Sequence, residues 1–543
     1  MSDTRPPENE QYPSGEIGPI RRLSGLGLLK STSVVSAMTL MSRILGLVRD
    51  VVFARYFGAT IVMDAFIVAN RIPNMLRRFF AEGAFSQGFV PVMARYRERH
   101  SKEQAGEFVD AIAGTLGLIL FVVTSIGVIA APLLVFLVAP GFIGDDGRFD
   151  MATAMLRFTF PYLFFVSLTA FAGGVLNTYG KFGAPAFTPV ILNVVLIAAA
   201  IWLAPMLEEP GMALAYGVFL AGIAQLLFQI PFLAKIHAVP IPRWRPRHEG
   251  VRRVGTLMVP SIFGSSVAQV NVLVGGIIAS MLGVGKVSLL YYSDRLMEFP
   301  LGLFSIAIAT VTLPQLSREH AKKATGEFAL IIDWSLKLTF LIVIPAAIGL
   351  IVLAEPLVAT IFHGGEFSDY DVRMTALSLQ AFAIGLVGFS LVKILAPAYF
   401  AREDTKTPVK IGLIALAVNF ILSVTLAFGL TRSGYEGTHA GLALATSVAA
   451  IVNAWLLYRG LRREAVIVHG KGWQPLLLRF AAANILMTFC LLALNRPLAW
   501  WLESSLLDRS SWLTLVILVG GGVYFAALLL LGLRPGALRL RSE

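Results

Sequence analysis

The chain has 543 residues, 56% of them hydrophobic and 14% charged, whereas a soluble domain carries nearer about 25% charge. That balance excludes a large soluble core and points to an all-α polytopic membrane protein. The net charge of +12 is spread over alternate short loops, which positive-inside bias explains, so no nucleic-acid partner is expected.

Residues 1–30 are polar, with Pro6, Pro7 and Pro13, and no small-residue cleavage site precedes the first apolar run. A cytoplasmic segment is expected there rather than a signal peptide. Fourteen apolar segments follow, at 31–57, 62–92, 108–139, 151–178, 184–205, 211–236, 254–283, 287–316, 327–355, 373–400, 408–431, 438–460, 475–495 and 511–533. The second and eighth are the most polar. Basic residues fill every second loop. Arg21, Arg22 and Lys30 precede the first span. Arg95, Arg97, Arg99 and Lys102 follow the second, and Lys181 follows the fourth. The series continues with Arg243, Arg245, Arg247, Arg252 and Arg253, then Arg318, Lys322 and Lys323, then Arg402 and Lys406, then Arg462, Arg463 and Lys471, and ends at Arg534, Arg539 and Arg541. The other loops are neutral or acidic, as at Asp145 and Asp146, Glu208 and Glu209, or Glu366, Asp369 and Asp371. This alternation predicts fourteen transmembrane helices with both termini cytoplasmic.

A faint repeat runs through the chain. FVPVMAR at 89–95 matches TLPQLSR at 312–318, and YGKFGAPAFTP at 179–189 matches FAREDTKTP at 400–408, at offsets of about 220 residues. Six spans per unit keep the orientation, so two parallel six-helix lobes are expected, with two C-terminal helices. The expected units are a segment at 1–30, an N-lobe at 31–236, a basic linker at 237–253 with Pro240, Pro242 and Pro246, a C-lobe at 254–462, and a final pair with its tail at 463–543.

Several charges lie inside these spans. A guanidinium at mid-membrane costs about 2.5–3.5 kcal/mol even on the lenient insertion scale, so buried arginines should face a wetted cavity. On the first span Ser36, Thr39, Ser42, Arg43, Gly46, Arg49 and Asp50 share an arc of about 140°. On the second, Asp64, Arg71, Asn74, Arg78 and Glu82 form a stripe, and Arg77 falls outside it. On the eighth, Tyr291, Asp294, Arg295, Glu298, Gly302 and Ser305 share about 100°. Two stripes facing across a repeat interface would line a central cavity, where transporters hold substrate. Asp294, Glu298 and Arg295 could instead neutralise one another, and Glu82 could pair with Arg78. Arginines outnumber acids on the first two spans, and guanidinium forks suit phosphate. A pyrophosphate-bearing ligand therefore fits best.

SRILGLVRDVVFARYFGA at 42–59, DAFIVANRIPNMLRRFFAEGAFSQGFVPV at 64–92, YYSDRLMEFPLG at 291–302 and DTKTPV at 404–409 closely resemble the MurJ (MviN) family of bacterial lipid II flippases. That family sits within the multidrug, oligosaccharidyl-lipid and polysaccharide exporter superfamily, and the resemblance runs from about residue 30 to 535. It implies movement of lipid II, the undecaprenyl-pyrophosphate-linked disaccharide peptide of cell wall synthesis, across a bacterial inner membrane by a monomer. It implies substrate contacts at Arg43, Arg49, Arg77 and Arg295. Asp50, Asp64, Asn74, Glu82, Asn193, Asp294 and Glu298 match the family's polar positions, and Arg78 joins them from the stripe. The last two spans would form a membrane-side groove for the lipid tail. The sequence departs from the family at FHGGEF, where Gly364 stands at a position often held by arginine. Spans 7, 11 and 12 offer Gln269, Asn271, Asn419 and Asn453 but no carboxylate, so no sodium site, metal or cofactor is expected.

Two rivals remain at this stage. An exporter of drug cations or of another lipid-linked oligosaccharide, from the same superfamily, is the nearer; for a drug cation it would want acids in the cavity. A membrane enzyme acting on lipid-linked sugars is the other, and Asp369-Tyr370-Asp371 supplies a DxD. Loop acidity explains that motif more simply, and no GxxxxGK[ST], HExxH or GxSxG is present.

Overall fold

The computed structural model describes residues 25–80, 83–144, 147–322, 325–467 and 472–533. Glu82, Asp145, Asp146, Lys323, Lys471, most of the N-terminal segment with Arg21 and Arg22, and the tail arginines Arg534, Arg539 and Arg541 lie outside the described residues.

Helices α1 (Gly25–Phe57), α2 (Ile61–Phe80), α3 (Gly83–Arg99), α4 (Lys102–Ile129), α5 (Ala131–Val138), α6 (Arg148–Thr159), α7 (Tyr162–Thr178), α8 (Gly183–Ala198) and α9 (Met212–Lys235) make up the first half. The second half holds α10 (Glu249–Ser280), α11 (Lys286–Pro300), α12 (Ile306–Ala321), α13 (Thr325–Val352), α14 (Ala354–Ile361), α15 (Asp369–Phe400), α16 (Lys406–Arg432) and α17 (Thr438–Arg463). The chain ends with α18 (Trp473–Leu494), α19 (Leu498–Glu503) and α20 (Leu506–Leu530). Among the described residues the fold is all-helical, with one isolated bridge between Gly364 and Phe367.

Among the described residues, eleven helical stretches are long and apolar enough to cross a bilayer. The remaining expected spans are helical as well: α1, the α2–α3 pair and α10. Several spans are divided, and proline is the usual reason, because it lacks the N–H that the helix ladder needs. Pro132 opens α5 after the break at Ala130, Pro161 separates α6 from α7, and the helix opens into a π turn at Leu301–Ser305 directly after Pro300. By contrast, α2 continues through Pro73.

Within the first half α1 packs on α8, α2 on α6, and α7, α8 and α9 on one another. In the second half α15 packs on α13 and α17, and α16 packs on α17 and α10. The final pair, α18 and α20, docks on α13, where Tyr524 donates to the Leu341 carbonyl at 2.8 Å. The connections into α8 and α16 share a device. Each has a left-handed residue three positions before the helix, Gly180 (φ 73°) and Glu403 (φ 61°). That correspondence supports the repeat.

The halves meet along α10, which runs against α3. Gly88 permits this approach, since a Cβ there would sit 2.9 Å from the Val254 carbonyl oxygen. At the α1–α2 end of the bundle the halves interlock. The Glu366 N–H donates to the Arg55 carbonyl at 2.9 Å, and Tyr292 donates to the Gly58 carbonyl at 3.2 Å. Gly364 and Gly365 take left-handed backbone (φ 123° and 62°) to carry the loop against α1. A side chain at Gly365 would collide with the Arg55 carbonyl. So Gly365 serves close packing at this end, whereas a Cβ at Gly364, the family departure, would meet open space.

Candidate functional site

Between the halves lies a cavity of about 450 Å³. α1 contributes Arg49 and Phe53; α2 contributes Asn70, Arg71, Asn74, Arg77 and Arg78; α10 contributes Gln269; α11 contributes Tyr291, Asp294, Arg295 and Glu298. Tyr162, Leu192, Leu196 and Val218 complete the wall from α7, α8 and α9. Five arginines (49, 71, 77, 78 and 295) face two carboxylates (294 and 298) in this lining. The stripes on α1, α2 and α11 converge because a helix presents one face to its neighbours, and here that face is the polar one.

The densest contacts join α1 to α11. Arg49 donates to one oxygen of Asp50 from Nε at 3.0 Å and Nη2 at 2.7 Å, and to Asn193 Oδ1 from Nη1 at 3.0 Å. Tyr291 donates its hydroxyl to the same Asp50 oxygen at 2.9 Å and accepts from Arg49 Nη2 at 3.3 Å. Asn193 in turn donates to the Ser42 carbonyl at 3.0 Å, fixing α8 to α1. Arg295 lies over the Tyr291 ring at 4.9 Å, with Nη1 2.9 Å from Glu298 and Nε 3.8 Å from Asp50. Asp50 is thus a buried anion shared by cations from both halves.

The α2 arginines are held differently. Arg78 donates to neutral Gln269 at 3.3 Å, and Arg71 is in electrostatic contact with Asp294. Arg71 places its guanidinium against Gly276 of α10, in the space a Cβ would need. Asn74 donates to the Asn70 carbonyl at 2.8 Å. Arg77 lines the cavity although the ideal wheel puts it off the stripe.

Three expected site residues fall elsewhere. Arg43 is exposed and lies outside the main lining, with its guanidinium against Gly302 of the π turn. Glu82 lies outside the described residues. Asp64 is not a cavity residue. It is fully buried at the α1–α2 end, accepting from Gly285 N (2.7 Å), Ser288 N (2.9 Å) and Ser288 Oγ (2.6 Å), with Arg148 Nη1 at 3.9 Å. The first turn of α11 leaves its N–H groups unpaired within the helix, and Asp64 caps them from the opposite half. Its charge also complements the helix dipole.

Five polar lining residues, Asn70, Arg71, Tyr162, Gln269 and Tyr291, were not singled out as site residues from sequence. Arg71 and Tyr291 were on the stripes and could have been. Gln269 and Tyr162 carry no sequence signal beyond being polar in apolar runs. The DxD resolves into structure: Asp371 closes a capping box with Ser368, and Asp369 contacts His363 Nε2 at 2.8 Å. Asn419 and Asn271, named for the second half, hydrogen bond each other at 2.7 Å. No cluster of potential metal ligands occurs among the described residues.

The family model described as lipid II flippase MurJ matches residues 53–510. The chain belongs to the MurJ family. A "probable lipid II flippase MurJ" of Vibrio cholerae is 46% identical over 523 residues, covering 95% of this chain and 98% of that protein. Among solved structures, "Lipid II flippase MurJ, inward closed conformation" matches with a TM-score of 0.74 at 26% identity, over 91% of this chain and 99% of the other. An inward-facing multidrug resistance MATE transporter of the MOP superfamily matches with a TM-score of 0.62 at 14% identity, over 80% and 98%. That likeness is one of fold alone. In this MurJ family member arginines of α1, α2 and α11 line the cavity between the halves.

Proposed function

We propose that this chain translocates lipid II from the cytoplasmic to the periplasmic leaflet of a bacterial inner membrane. The carrying observation is the cavity between the halves, where five arginines meet two carboxylates. Family membership supplies the substrate name. The fork geometry of guanidinium suits pyrophosphate, and an excess of cations disfavours a drug-cation exporter.

Arg49, Arg77 and Arg295 would hold the pyrophosphate, and Arg43 would meet it nearer the cytoplasmic mouth. Asp50, Asn74, Arg78, Asn193, Asp294 and Glu298 would shape and balance the charge around it. The lobes at 31–236 and 254–462 would rock about the linker at 237–253, exposing the cavity to each side in turn. Opening the periplasmic side would break the Asp64 cap on α11. Helices α18 and α20 would guide the polyprenyl tail along the membrane face. The chain acts as a monomer, both termini are cytoplasmic, and no covalent step is required. An inside-negative potential favours outward anion movement by about 2.3 kcal/mol per charge per 100 mV. It also draws the empty, cationic cavity back inward.

The test is lipid II translocation in proteoliposomes with and without an imposed potential. Wild-type protein should flip lipid II faster when the potential is inside-negative, and Arg295→Ala should be inactive while remaining folded. Normal flipping by Arg295→Ala would refute the site. Equal rates at every voltage would refute the energetic scheme.

A further inference from the structure

A second pocket, of about 560 Å³, lies in the first half, with exposed Phe158 and Leu220 in its lining. It is bounded by α4, α6, α7, α9 and the π turn Ala199–Leu203 that ends α8. Phe158 and Tyr216 form one wall, edge to face at 4.7 Å, and Leu203 and Leu220 form the others. Arg157 stands at its lip.

We propose that this pocket is a phospholipid site, in which an acyl chain fills the apolar space and the phosphodiester rests on Arg157. Three observations carry this. First, Arg157 is exposed on a membrane-spanning helix, and among the described residues no carboxylate pairs with it. An arginine on such a surface reaches for the interface, where lipid phosphate is the abundant anion. Arg148, nine residues earlier on the same helix, is by contrast buried beside Asp64. Second, the surroundings fix the level in the bilayer. Trp202 is 71% exposed and Met206 80% exposed beside Leu203. Exposed tryptophan favours the interface where headgroups lie, so a guanidinium here meets phosphate and a pocket beside it meets the first part of an acyl chain. Third, the pocket is a product of the fold. The break at Pro161 and the π turn of α8 leave a gap that straight helices would close.

The site backs on to the central cavity. Tyr162 and Val218 face the cavity, whereas Pro161 and Phe219, their chain neighbours, face the pocket. A lipid seated here braces one wall of the cavity. The ligand is a resident diacyl phospholipid of the leaflet away from the chain termini, distinct from any translocated substrate.

Native mass spectrometry of the purified full-length protein tests this, with added phosphatidylglycerol as probe. Wild-type protein should retain one phospholipid through delipidation. Arg157→Gln should weaken retention roughly tenfold, the scale of one charge-assisted hydrogen bond. Arg157→Lys should restore part of the loss, and Leu220→Trp, which fills the pocket, should abolish retention. Arg295→Ala should retain the lipid fully, so failure of the flippase reading leaves this one standing. Melting temperatures confirm that each variant is folded. Unchanged retention in both Arg157→Gln and Leu220→Trp overturns the proposal. So does displacement by millimolar inorganic phosphate alone, or preferential retention of a polyprenyl phosphate.

Discussion

The two ends of α2 carry charges and use them in opposite ways. At its start, Asp64 is fully buried and accepts three hydrogen bonds from the first turn of α11. Further along, Arg71, Arg77 and Arg78 turn towards a cavity in which arginines outnumber acids. A buried charge whose bonding capacity is used within the protein holds the fold in one state. A charge whose best partners are neutral or shared keeps capacity for a ligand. Satisfaction, more than position on a wheel, separates structural from functional charge.

The largest effects should come from the shared cations. If the proposed site is right, Arg49→Ala or Arg295→Ala would remove two phosphate contacts of about 1.5–3 kcal/mol each. Lipid II flipping in proteoliposomes should fall by at least about 100-fold, and Arg295→Ala, which leaves Asp50 paired with Arg49 at 2.7 Å, should show little change in melting temperature. Asp64→Ala should behave in the reverse sense. It leaves the buried Gly285 and Ser288 N–H groups at the start of α11 without their acceptor and takes a carboxylate from beside Arg148, a loss on the scale of about 3–5 kcal/mol, read as a lower melting temperature. If Asp64→Ala were as stable as wild type, the contrast between the ends of α2 would collapse. A smaller effect is expected at Gly276. A methyl there meets the Arg71 guanidinium, whose flexible end can move aside without unfolding the protein. Gly276→Ala should therefore slow flipping by roughly 5- to 10-fold, the scale of one hydrogen bond, while stability holds. A loss of stability with normal flipping would place Arg71 on the structural side of the comparison.

Much of this was legible in the sequence. Loop charges and apolar lengths give the span count, since charge is excluded from hydrocarbon. The stripes on α1, α2 and α11 mark the cavity because 3.6-residue periodicity survives burial. Which charges are already satisfied was not legible. Asp64 and Arg78 share an arc, yet one caps α11 and the other lines the cavity. Arg77, off the ideal wheel, still lines the cavity. Its long side chain can reach round the helix, and a wheel records only the Cβ direction. Gln269 is a lone amide on an apolar helix, and only its partner Arg78, 191 residues away in sequence, gives it meaning. Arg157 was passed over because a solitary arginine makes no stripe.

The finest test of the comparison lies at Tyr291, which touches both arginines of the α1–α11 cluster. Its hydroxyl bonds Asp50 and Arg49, and its ring carries Arg295. Tyr291→Phe removes the hydroxyl and keeps the ring. The direct cost is about 0.5–1.5 kcal/mol, one net hydrogen bond. Asp50 would keep Arg49 at 2.7 Å, so the anion stays neutralised while the tie between the halves weakens. If the hydroxyl mainly stabilises the cavity-closed arrangement, Tyr291→Phe should bind lipid II slightly more tightly, because less must be broken to admit the pyrophosphate. Tyr291→Leu also removes the surface beneath Arg295, and a lost cation–π contact of about 0.5–2 kcal/mol should then weaken binding. The two substitutions would move affinity in opposite directions. Equal losses from both would mean that Tyr291 only fills space, and that Asp50 alone organises the cations.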